Sequence, residues 1–349
     1  MTQESSALPS WREKRRSKSK METSQHHDAT SSIVHRPSSR VIRRAVIDVG
    51  TNSVKLLVAD LVGSEVIPVD EQSKQTRLGR GFYETHQLQA EAIFSTAEAV
   101  ERFAAQASGL QAENIRVIAT SAARDAINAV DLLEAIQASS GLPVEIISGE
   151  QEADWVFQGV ASDPKLAGLP LLIIDVGGGS TEFILGQGNQ QYFRNSFRLG
   201  SVRLLEQIKP GDLPGAEALA QCRRWLNNFL DKQIAPELEP ALRNCERVVL
   251  VGTGGTVTIL ARMEKALADF DRDQIEAARL SVDQVKTHLE RLWSLSMEER
   301  KNIIGLPPNR ADVILTGLAI YEATMQRFGF TELRISTRGL RYAAVLPDY

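Results

Sequence analysis

The chain has 349 residues, with 40 Lys and Arg against 44 Asp and Glu and a formal net charge of −4. That length suggests about two domains of roughly 150 residues each, and the apolar, charged and glycine contents are ordinary for a globular protein. No stretch approaches the ~20 continuous apolar residues of a membrane span, the N-terminus lacks the apolar core of a secretory signal, and the two cysteines, Cys222 and Cys245, have neither metal-ligand spacing nor a disulfide framework.

A cytoplasmic location with reduced thiols is expected, with no membrane or nucleic-acid partner. Residues 1–40 are rich in Ser, Lys and Arg and poor in large apolar side chains, which predicts a disordered basic tail. Its run WREKRRSKSK suits a solubilising extension better than a specific polyanion contact. The folded region begins near Val41. RRAVIDVG and SVKLLVADL read as two strands joined by a turn at Gly50-Thr51-Asn52, and EVIPVD as a third. Helical periodicity over residues 89–107 is followed by the strand IRVIAT, a helical stretch, the strand PVEIIS and a helix from about Gly149. Alternating strands and helices predict an α/β fold.

The pattern then restarts, placing a domain boundary near residue 165, with one domain over 41–165 and a second over 166–349. LLIIDVGGG, TEFILG and QQYFRNSF read as strands, residues 215–238 as a long helix, ERVVLVG as a strand and TGGTVTILARM as a helix. The last hundred residues read as mostly helical, ending in the strand ELRIS. The restart is an internal repeat. Asp48-Val49-Gly50-Thr51-Asn52-Ser53 matches Asp175-Val176-Gly177-Gly178-Gly179-Ser180, and the apolar flanks match as well. Two related domains facing each other would bring both turns to one cleft.

Tight glycine turns expose backbone N–H groups that favour phosphate oxygens. Thr51, Asn52 and Ser53 on one turn, with Ser180 and Thr181 on the other, add short donors. An aspartate at each strand end, Asp48 and Asp175, suits a hard cation such as Mg²⁺. Carboxylates alone would repel phosphate, whereas a metal between them makes a clamp for phosphoryl transfer. The third glycine-rich element, Gly252 to Thr256, joins a strand to a helix start, so Gly254 and Gly255 are further candidates for anion binding.

The two hairpins and the later GTGGT resemble the phosphate and adenosine motifs of the actin, hexokinase and Hsp70 superfamily. More closely, the chain resembles the exopolyphosphatase/guanosine pentaphosphate phosphatase family. The likeness rests on AVIDVGTNSVKLLVAD, TSAARDAINA, EIISGEQEA, IIDVGGGSTEFILG, RLGSVRLLE, VGTGGTVTILA, LPPNRADVILTG and ISTRGLR, which run in family order from Val41 onward. It implies two ribonuclease H-like, actin-type ATPase domains with an interdomain cleft. It also implies a terminal-phosphate hydrolase acting on inorganic polyphosphate or guanosine pentaphosphate.

By the same resemblance Glu152 is the catalytic glutamate that positions water, Arg124 binds the scissile phosphate, and Glu182 joins Asp175 in an acidic pair for metal and catalysis. The chain departs from the family pattern at Gln151 and Arg80, where carboxylates are usual, and at Tyr342-Ala343, where Glu-Gly is typical. Longer members add a helical domain, so a chain ending at Tyr349 is expected to hold less of a long polymer. A homodimer would be unsurprising for the family, although no heptad or apolar seam specifies one. A phosphotransferase is disfavoured because no acceptor motif accompanies Glu152, and a non-catalytic sensor or filament because all four charged site residues are present.

Overall fold

In the computed structural model, which describes residues 41–347, the first hairpin forms where two apolar, β-branched runs flank a glycine turn. β1 (Ile42–Val49) pairs antiparallel with β2 (Ser53–Val62), and β2 with β3 (Glu65–Gln75). After α1 (Phe82–Thr85) and α2 (Ala90–Gly109), β4 (Asn114–Ala119) runs parallel to β1. α3 (Ser121–Asp125) and α4 (Ala129–Ser140) lead to β5 (Val144–Ile146), completing a sheet of order β3-β2-β1-β4-β5. α5 (Gly149–Ala161) starts where the sequence places it. The Ser148 hydroxyl accepts a hydrogen bond from the Gln151 amide at 3.1 Å, and Glu150 and Glu152 occupy the first turn, where the helix dipole favours carboxylates. The expected N-terminal tail lies outside the described residues.

The second half repeats this plan. β6 (Pro170–Val176), β7 (Thr181–Gln187) and β8 (Gln190–Phe197) form an antiparallel meander, followed by α6 (Ser201–Ile208), α7 (Gly215–Phe229) and α8 (Ala235–Leu242). β9 (Val249–Thr253) then lies parallel to β6, and α9 (Gly255–Glu264), α10 (Arg272–Glu276), β10 (Arg279–Ser281), α11 (Val282–Trp293), α12 (Met297–Lys301) and α13 (Ile314–Phe328) precede β11 (Glu332–Ile335). The order is β10-β11-β9-β6-β7-β8, so without β10 it has the topology of the first sheet. The duplication seen at two hairpins therefore extends to both sheets.

Two expectations need correcting. The long helix of residues 215–238 contains a π-type turn at Leu230–Ile234, two residues before Pro236, whose missing N–H cannot continue the ladder. The chain does not end its regular structure at β11, because α14 (Leu340–Ala344) follows it.

Three apolar cores organise the layers. One lies on the outer face of the first sheet under α2 and α4, and another on the outer face of the second sheet under α7, α9, α11 and α13. The third fills the space between the sheets, where α5 and α14 meet Val46, Leu57, Ile173 and Ile184. Strand side chains alternate between faces. Val46 and Asp48 therefore share the inner face of β1, as Ile173 and Asp175 do in β6, while Ile47 and Ile174 pack outward. The aspartates lie where the inner apolar layer ends.

That inner layer is tight. A side-chain carbon at Gly159 of α5 would sit 2.3 Å from the Gly339 carbonyl oxygen, just before α14. Gly159→Val should lower stability by roughly 1–3 kcal/mol through overpacking, read from the urea unfolding midpoint. An unchanged midpoint would show that the two helices can part there.

Candidate active site

Both turns are closed by the same bond. The Gly50 amide donates to the Ser53 carbonyl at 3.1 Å, and the Gly177 amide to that of Ser180 at 3.0 Å. They face each other. Thr51, Ser121 and Tyr83 crowd against Gly179, and the two turns line one cavity of about 80 Å³. That is well above the ~10–15 Å³ one water requires, leaving room for a small anion. Gly50 to Ser53, Gly177 to Ser180 and Gly255, at the start of α9, all lie on its wall. Gly254 has a different role. With φ at 86° it allows the Asp175 carboxylate to pack where a side-chain carbon would lie 2.3 Å from Oδ1. Thr181 faces away, buried on the outer side of β7 with its hydroxyl donating to the Leu199 carbonyl.

Four carboxylates surround this cavity: Asp48, Glu152 and Glu182 are buried and Asp175 half-buried. Desolvation raises the pKa of each. Glu152 reaches about 7, because burial, aided by repulsion from Asp48 and Asp175, outweighs attraction to Arg124. Glu182 is pushed well above the ordinary range by burial and then by Glu152 and Asp175, although the Ser196 hydroxyl donates to it at 2.7 Å. Arg124 does not extend freely into the cavity. Its Nη1 bonds the Ile147 carbonyl at 3.0 Å and Glu152 Oε2 at 3.1 Å, so it fixes the glutamate.

Residues outside the sequence expectation complete the site. Lys55 is the cross-strand partner of Asp48, as Glu182 is of Asp175, so the repeat places a cation on one hairpin and an anion at the matching position of the other. Burial lowers the Lys55 pKa, while Asp48 and Asp175 oppose that shift. Arg310, lowered to about 10 by desolvation, donates to Ser53 Oγ at 2.6 Å. Lys55 was discoverable as the one charge within the apolar run SVKLLVA, and Thr181 could have been set aside because Val54 occupies its place in the first hairpin. Arg310 comes from a distant segment that no local pattern connects to the turns.

Among the described residues no group of three or more His, Cys, Asp or Glu side chains forms a ready ligand set. Glu182 is engaged by Ser196, and Asp48 and Asp175 come from opposite hairpins. Two carboxylates still fit Mg²⁺, which commonly takes one or two together with waters and substrate oxygens. Asp48 Oδ1 and Asn52 Nδ2 are buried without partners, which marks where an incoming cation and anion would be bound.

The sequence profile of the Ppx/GppA phosphatase family matches residues 57–346. Exopolyphosphatase 2 of Mycobacterium tuberculosis is 32% identical over 312 residues, which cover 84% of this chain and 94% of that protein. The crystal structure of an Aquifex aeolicus Ppx/GppA family member is 30% identical with a TM-score of 0.71, covering 87% of this chain and 96% of that one. An exopolyphosphatase from Cytophaga hutchinsonii is 25% identical with a TM-score of 0.77, covering 86% and 96% respectively. The fold is thus the two-sheet, actin-like architecture of these proteins.

The raised carboxylates have a thermodynamic signature. In the unfolded chain Glu152 ionises near 4.5, whereas folded it keeps its proton to about 7. The folded state binds more protons across that window, so stability should fall as pH rises through it. Thermal unfolding should show a lower midpoint at pH 8 than at pH 5.5, and Glu182→Gln should raise the midpoint at pH 8 more than at pH 5.5. Equal effects of the substitution at both pH values would contradict the buried-charge assignment.

Proposed function

Because this chain belongs to the Ppx/GppA phosphatase family, we propose that it is an exopolyphosphatase, hydrolysing the terminal phosphoanhydride of linear polyphosphate to release orthophosphate. The observation that carries this reading is Glu152, held by Arg124 at 3.1 Å on the wall of a cavity formed by two facing glycine turns.

The backbone amides of the turns receive the terminal phosphate, with Lys55 and Arg310 supplying positive charge beside it. Glu152, once ionised, takes a proton from a water aimed at the terminal phosphorus. The water oxygen–phosphorus bond forms as the bridging oxygen–phosphorus bond breaks, and the shortened chain leaves on its own oxygen. Asp48 and Asp175 are the groups suited to hold Mg²⁺, which when bound would offset phosphate charge. Glu182, hydrogen-bonded to Ser196, supports this acidic wall.

A cytoplasmic location is supported by two free cysteines and by the absence, among the described residues, of any helix long and apolar enough to cross a membrane. Guanosine pentaphosphate presents the same terminal anhydride, and no feature of the cavity favours it.

Glu152→Gln should lower kcat by about 10²- to 10⁴-fold, the usual contribution of a positioned base, with little change in KM. The wild-type rate should rise with pH on a limb at or below about 7, a limb that the variant loses. Near-wild-type turnover of the variant would refute the assignment. In side-by-side phosphate-release assays, polyphosphate should be consumed faster than guanosine pentaphosphate, and the reverse would exchange the two readings. Chelation should stop turnover and added Mg²⁺ restore it.

A further inference from the structure

Helix α6 presents Arg203 and Glu206, three residues apart on one face, and Lys209 caps its C-terminal end. Each reaches the half of the chain that carries the first sheet. Glu206 accepts from the Gly81 amide at 2.6 Å and the Tyr83 amide at 3.3 Å, and Lys209 pairs with Glu84 at 2.6 Å on the exposed surface. Arg203 alone also contacts a phosphate turn. Its Nε donates to the Gly179 carbonyl at 2.8 Å, its Nη2 pairs with Asp125 at 3.1 Å, and its guanidinium lies 4.1 Å from the Tyr83 ring centre.

Asp125 is the chain neighbour of Arg124, which holds Glu152. Two consecutive residues of α3 thus fix the catalytic carboxylate on one side and, through Arg203, the second phosphate turn on the other. Arg203 does not line the cavity. A planar cation that stacks, donates to a carbonyl and pairs with a carboxylate at once has few alternative positions, which lysine cannot reproduce.

We propose that Arg203 is a positioning residue for the hydrolytic reaction: through Asp125 it sets the distance between the Gly177–Thr181 turn and Glu152. This rests on the exopolyphosphatase reading for its kinetic consequence but not for its structural one. An ångström of error between a catalytic group and its substrate can cost about 100-fold in rate. The loss should therefore fall on kcat and spare affinity.

The test uses Arg203→Lys, Asp125→Asn and their combination in the full chain, with Lys209→Ala, at the C-cap of α6, as a control. Arg203→Lys should lower kcat on polyphosphate by about 10- to 100-fold, with KM changed less than about threefold. The double variant should be little worse than the poorer single one, because both substitutions break one linkage. The control should keep wild-type kcat. Hydrogen–deuterium exchange of the segment 176–183, which needs no turnover, should accelerate in Arg203→Lys while the rest of the second sheet stays protected. Unchanged exchange there, unchanged kcat, or additive losses would overturn the proposal. A wild-type protein silent on polyphosphate would instead fault the reaction reading, with the exchange data still deciding the role of Arg203.

Discussion

Asp48, Glu152, Asp175 and Glu182 are drawn from two hairpins and a helix into a space that water enters only in small numbers, and nearly everything else at the site follows from that crowding. Packing such groups together costs free energy unless charge is neutralised, protonated or paired. Lys55, Arg124 and Ser196 relieve part of the strain and leave the rest visible as raised pKa values. A site built this way favours a bound cation over bare carboxylates. The glycine turns answer the other half of the problem, since their amides require acceptors as the carboxylates require a cation.

The fold is nearly symmetric and the chemistry is not. Both sheets share one strand order, both turns close on the same amide-to-carbonyl bond, and both carry an inward aspartate. Symmetry ends one residue pair further on, where Lys55 faces Asp48 but Glu182 faces Asp175. One hairpin therefore carries an acid–base pair and the other two acids. α5 adds Glu152 to one side only, which gives the cleft a direction along which water and leaving group can be told apart. The inner helices α5 and α14 hold the two halves at fixed spacing by filling the gap between their sheets.

Much of this was legible in the sequence. The hairpins could be read because a strand repeats every two residues and the glycine turns interrupt strong apolar runs. The start of α5 could be read because Ser148 and the following glutamates are a helix-start pattern. β10 and α14 were missed because three and five residues give no period to count. Arg310 and Arg203 were missed for another reason: their partners lie 257 and 78 residues away, at Ser53 and Asp125, and only packing brings them together. Thr181 was over-read, although strand alternation between Ser180 and Glu182 already pointed it outward.

Calorimetric counting of protons exchanged when Mg²⁺ and sulfate, an anion that does not itself titrate near neutral pH, enter the site tests the crowding most directly. Titrations at about pH 6.5 in buffers of different ionisation enthalpy would supply the count. Carboxyl groups that hold protons because they are buried together must give them up as a cation arrives, so binding should release on the order of one proton. Binding with no proton release would mean that these four groups are already ionised, and the central role given to their burial would be wrong.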